Sequence, residues 1–113
     1  MLPYYAWVIV DGIIYWEERR GRKLPNHYGL QLYVGKVGKK WEVVEGVSGT
    51  RITEGKLKRD AVNTFIDNQR KIRIMFVIKR CNDIIELIGL SPLFTDKPDY
   101  EIIPYKGETQ CNG

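Results

Sequence analysis

Histidine, serine and cysteine are scarce: one His (His27), two Ser (Ser48, Ser91) and two Cys (Cys81, Cys111) are spread over 113 residues. A lone imidazole beside Pro25-Asn26, with no Cys, Asp or Glu at ligand spacing, does not make a metal site. Neither serine has a base close to it in sequence, so nucleophilic chemistry would require Ser48, His27 and Glu45 to converge in space. Two thiols do not make a metal site; they allow a single disulfide, and the simpler expectation is a reduced, cytoplasmic chain. Long hydrophobic runs are missing too. Residues 1–16 are mostly apolar, but no basic residue precedes them and Asp11-Gly12 interrupts them. That order does not fit a signal peptide, and the run is short for a membrane helix. The expectation is one soluble domain over residues 1–106 with a frayed tail over 107–113, no membrane, no metal and no cofactor.

What is present is basic charge and aromatic bulk. The formal net charge is +4, with three Trp and seven Tyr. Residues 1–80 hold 16 Lys or Arg against 8 Asp or Glu (+8), and residues 81–113 hold 2 against 6 (−4). A basic body with an acidic tail fits a polyanionic partner, or a surface partly neutralised by its own tail.

The chain is organised around residues 28–69, which read as two strands (30–34 and 41–45), a short third (50–53) and an amphipathic helix opening near Leu57. Ahead of this unit, β-rich runs flank Asp11-Gly12, the strongest short-range hairpin signal. A two-residue loop sets Val10 opposite Ile13, Ile9 opposite Ile14, Val8 opposite Tyr15 and Trp7 opposite Trp16. Both faces of that hairpin are apolar, so it is either covered twice within the fold or meets a partner or a second copy. Trp7, Trp16, Tyr5 and Ile14 are the candidate interface residues.

Residues 17–23 read as a charged connector, and residues 35–40 as a hairpin loop. Leu57, Ala61, Val62, Phe65 and Ile66 fall on one helical face. Residues 71–79 alternate Ile72, Ile74, Phe76 and Ile78, which favours a strand slightly over a continued helix. A short helix is expected over 83–88, ended by Gly89 and Ser91-Pro92, and a last edge strand over 100–103. The fold class is α+β: a mostly antiparallel sheet, one main helix packed on one face and a short second helix near the C-terminus.

Two strings invite anions. Gly35-Lys36-Val37-Gly38-Lys39-Lys40 has glycines and lysines, but lacks the spacer and following helix of a Walker loop. Its Gly-x-x-Gly joins strands, whereas that of KH domains joins helices. Gly55-Lys56-Leu57-Lys58-Arg59-Asp60-Ala61 puts cations at a helix start, against the helix dipole, where a phosphate would be welcome. Asp60 and Glu54 offset that charge in part.

The spacing of Gly55, Lys58-Arg59 and Ala61 resembles the second-helix start of double-stranded RNA-binding domains. That resemblance implies phosphate contacts by the basic residues. Trp41-Glu42-Val43 through Lys58-Arg59-Asp60-Ala61 is similar to the three-stranded sheet and helix of phage integrase arm-binding domains, whose sheet enters the major groove. The likeness spans about a third of the chain, with generic motifs. The leading helix and later alanine pair of the first family are missing, as is the recombinase catalytic region of the second.

The expectation is therefore a non-catalytic protein contacting DNA or RNA phosphate through Arg19, Arg20, Arg22, Lys23, Lys36, Lys39, Lys40, Lys58 and Arg59. Tyr28, Tyr33 and Tyr105 are candidate stacking or anchoring groups. The alternative is a protein-binding inhibitor or adaptor, of the kind mobile elements encode against host nucleic-acid machinery, using the apolar hairpin and the acidic tail. A homodimer through the same hairpin is a third reading.

Overall fold

The structure, a computed structural model, describes residues 1–25, 28–67 and 71–95, with side chains described outside 64–73. The fold is α+β. Five antiparallel strands follow one another in sequence order: β1 (Leu2–Val10), β2 (Ile13–Lys23), β3 (Leu32–Val37), β4 (Lys40–Glu45) and β5 (Thr50–Gly55). Two helices complete it, α1 (Lys58–Asp67) and α2 (Lys71–Ile88).

The first hairpin has the register its turn dictates. Val10 pairs with Ile13, and the ladder runs through Trp7 with Trp16 to Leu2 with Gly21. Asp11 and Gly12 both have positive φ, 53° and 79°, as a type I′ turn requires. The expected connector over 17–23 is a correction, because these residues are the second half of β2. Their charges pair with one another across alternate positions, Glu17 with Arg19 and Glu18 with Arg20. The loop expected over 35–40 is also shorter: the strands run on to Val37 and Lys40, leaving Gly38-Lys39 as the turn. Gly38 has positive φ at the first turn position, the signature of type II′.

Cross-strand partners share a face, so the register sorts every side chain. Tyr4, Ala6, Arg19, Tyr33, Gly35, Glu42 and Val44 lie on one face. The sheet curls around this inner face until β1 side chains touch those of β3 and β4. Tyr4 stacks on Tyr33 at 5.3 Å, and Tyr4, Ala6, Tyr33 and Val44 form a small core. On the outer face, Leu30, Leu32, Val34 and Val43 meet Ala61 of α1 and Ile74, Ile78 and Cys81 of α2 in the main core. A fully buried aliphatic side chain stabilises such a core by about 2 kcal/mol.

The strand expected over 71–79 is helix, the second correction. Ile74, Ile78 and Cys81 stand at i, i+4 and i+7, and no Gly or Pro interrupts the run before Gly89. Of the alternating residues, Ile74 and Ile78 lie on the buried helical face, while Phe76, like Met75, stays exposed. The helix expected over 83–88 is the last third of α2. It ends as expected, with Gly89 at φ 84° donating its N–H to Ile85 C=O. Leu57 is 48% exposed, because it precedes α1 and offers its C=O to Asp60 and Ala61 N–H rather than facing the core. The last-strand expectation at 100–103 and the tail at 107–113 lie outside the described residues. Among the described residues, no helix is long and apolar enough to cross a membrane.

Candidate functional site

The candidate cations divide by face. On the inner face Arg19 donates from Nη1 to both Glu42 oxygens at 2.6 Å and from Nη2 to Glu17 at 2.9 Å, with its side chain only 14% exposed. Burial works against its charge, yet the hydrogen bond and field of Glu42 outweigh it and raise its pKa. Arg19 thus neutralises a buried carboxylate instead of presenting charge outward. Lys23, half-buried, donates to Leu24 C=O and lies 5.6 Å from the Tyr33 ring centre, and burial lowers its pKa. Lys40, also on this side by register, reaches Glu54 at 3.8 Å.

Arg20, Arg22, Lys36 and Lys58 lie on the outer face. The Arg22–Val34 and Lys36–Trp41 pairs put these side chains there, and the parity of β2 adds Arg20. α1 packs on β3, β4 and β5, so the outer face of β2 is left open beside it. Gly55 pairs with Trp41, and a Cβ at this position would press against Ala61 N at 2.9 Å, so its absence lets α1 start directly over the sheet. That start brings Lys58 Nζ to 5.9 Å from the Trp41 ring centre, a cation–π contact. A row results across the sheet: Arg20, Lys36, Trp41, then Lys58. Arg22 lies on the same face of β2 as Arg20, and Lys39 and Arg59 are exposed in the β3–β4 turn and the first turn of α1. Arg20 shares its charge with Glu18 at 3.4 Å, whereas Arg22, Lys36, Lys39 and Arg59 have no ion-pair partner among the described residues.

The interface candidates also separate. Trp7 and Trp16, midway along the hairpin, are half-buried: Trp7 N–H donates to Gly49 C=O at 3.2 Å, and the Trp16 ring packs on Gly49. Tyr5 is half-buried, with its hydroxyl 3.4 Å from Glu18. The tip is open, with Ile9, Val10, Ile13, Ile14 and Tyr15 between 38% and 59% exposed. The hairpin is therefore covered midway along its length and bare at its tip.

Ser48 and Glu45 do meet, since Ser48 N–H and Oγ–H both donate to Glu45 Oε1 at 2.9 Å. Both are fully buried, and Glu45 also accepts from Gln31 N–H, so the carboxylate organises the β4–β5 turn. His27 lies outside the described residues. Among the described residues, no group of three or more His, Cys, Asp or Glu could hold a metal ion. Of the tyrosines, Tyr33 is core and Tyr28 packs against the main core, while Tyr105 lies outside the described residues. Sequence reasoning missed Trp41 as the centre of the row; its register opposite Lys36 was the available signal.

No family model matches the chain, and neither a curated protein nor a solved structure does.

Proposed function

We propose that this protein is a non-catalytic module that holds DNA or RNA by its phosphate backbone, using the open outer-face strip beside α1. The observation behind this reading is the placement of Trp41 between Lys36 and Lys58, with Arg20 and Arg22 on the same face of the sheet. Cations track phosphates, and a half-buried indole gives an unpaired base a surface to stack on. Arg19, Lys23 and Lys40 take no part in this version, having work on the inner face. A mobility shift with short single- and double-stranded DNA and RNA at two salt concentrations tests it. Binding should weaken steeply with salt, with a log–log slope of about −0.7 to −0.9 per phosphate contacted. Absence of binding at low salt, or indifference to salt, overturns the proposal.

A second reading has its own observation. The bare apolar tip at Ile9, Val10, Ile13 and Ile14 is the kind of surface a protein partner covers, which fits an inhibitor or adaptor. A pull-down giving one stoichiometric protein and no nucleic acid favours it.

A further inference from the structure

The curl of the sheet stops short of closing. Where β1 approaches β5, a cleft of about 330 Å³ remains, lined by residues 6–9 of β1, Arg19, Thr50, Arg51 and Arg80. Three properties of this cleft point the same way.

The first is an open strand edge. β1 pairs only with β2. In an antiparallel ladder alternate residues turn their N–H and C=O away from the partner strand, and in a two-residue hairpin the pair flanking the turn is bonded inward. Val10, Val8 and Ala6 are then bonded to β2, while Ile9 and Trp7 point out. The Trp7 N–H confirms this by donating to Gly49 C=O. Ile9 N–H and C=O therefore lie on the free edge, with no backbone partner among the described residues, and Ile9 lines the cleft.

The second is charge. Arg19 is occupied by Glu42 and Glu17, but Arg51 has only a loose 3.6 Å contact to Glu54 and is 59% exposed. Arg80 is exposed on α2 with no ion-pair partner among the described residues. The third is aliphatic lining, with Ala6 and Val8 from the inner face of β1 and Ile9 from its other face. From these we infer that the β1–β5 cleft binds an extended acidic peptide segment by strand addition to Ile9, with carboxylates meeting Arg51 and Arg80.

A second copy of this chain is a poorer occupant. Its own free edge, residues 2–10, contains no acidic residue to meet the two arginines. A nucleic acid supplies phosphates but no alternating donors and acceptors for a strand edge. The site is separate from the strip around Trp41, so the two proposals stand or fall independently.

The test uses the full chain and a labelled peptide of alternating valine and glutamate, followed by fluorescence anisotropy, with a valine–lysine peptide as control. Saturable binding of the first peptide alone is expected. Arg80→Glu, on an exposed helix position, should weaken it by about tenfold or more, and Arg51→Ala by less. At saturation the Ile9 amide should exchange with deuterium more slowly, while that of Val8, already bonded to Tyr15, should not change. Equal binding of the lysine peptide overturns the proposal. So do indifference to Arg80→Glu, an unprotected Ile9 amide, displacement by single-stranded DNA, or no binding up to about 1 mM.

Discussion

The Tyr4 hydroxyl donates to Glu42 Oε2 at 2.9 Å, tying the first strand to the fourth across the inside of the curl. Arg19 holds the same carboxylate from the second strand. This triad closes the inner face with three polar groups, each satisfied by the others. Tyr4→Phe should cost about 1.5–3 kcal/mol, the loss of one hydrogen bond to a charged group. Glu42→Ala should cost more, about 3–5 kcal/mol, because it leaves a mostly buried guanidinium with only Glu17 as a charge partner. Urea unfolding of both variants checks the order, and a milder effect from Glu42→Ala would contradict the arrangement.

Alkaline pH should loosen the fold in two stages. Burial, aided by the negative charge of Glu45, pushes the Cys81 thiol from 9.0 up to about 12. Between those values the unfolded chain has released a proton that the native chain keeps, so stability falls as pH rises, by about 1.4 kcal/mol per unit. Tyr4 and Tyr33, also raised by burial, add to the decline above their ordinary value of 10.0. Lys23 has the opposite sign, since its lowered pKa means the native state sheds its proton first. Denaturant titrations from pH 8 to 10.5 should show a downward slope that Cys81→Ala reduces; an unchanged slope would place the thiol in a more open setting.

Glycines at two positions of the first hairpin should respond differently to alanine. A Cβ at Gly21 would collide with the Val34 carbonyl, which is backbone and has little room to yield. At Gly12 the space is open and only the φ of 79° resists. Gly12→Ala is therefore expected to cost about 1 kcal/mol. Gly21→Ala should cost several times as much by forcing β2 away from β3. Thermal melts compare them directly.

On the strip beside α1, Lys36→Glu and Lys58→Glu should each weaken nucleic-acid binding at all sequences and lower the salt slope by about 0.7 to 0.9. Arg19→Lys should instead reduce stability and leave the slope alone. Equal loss of binding from all three, at matched folded fraction, would undo the division of cations by face.

The first hairpin was readable because its information is local: Asp11-Gly12 fixes the turn and the turn fixes the register. Alternation over 30–34 and 41–45 likewise placed β3 and β4, although β3 begins at Leu32 rather than Leu30 and both strands run further toward the turn. Residues 71–79 misled because Ile72, Ile74, Phe76 and Ile78 fit a period of two, while Ile74, Ile78 and Cys81 fit a helix equally well. Only packing against the sheet decides between those periods. Arg19 could not be told from Arg20 by composition. Their difference is one step of strand parity, which matters only once the sheet is known to curl. The cleft near Ile9 was invisible for the same reason, since β1, β5 and α2 meet there from distant parts of the chain.

The strictly sequential order of the strands has a kinetic consequence. Every ladder joins neighbours along the chain, so each can form after closing only a short loop, at small entropic cost. The Tyr4–Glu42 contact spans 38 residues and must wait for the intervening ladders. Substitution at Tyr4 is accordingly expected to accelerate unfolding while leaving the refolding rate nearly untouched, a division that stopped-flow measurements across denaturant would reveal.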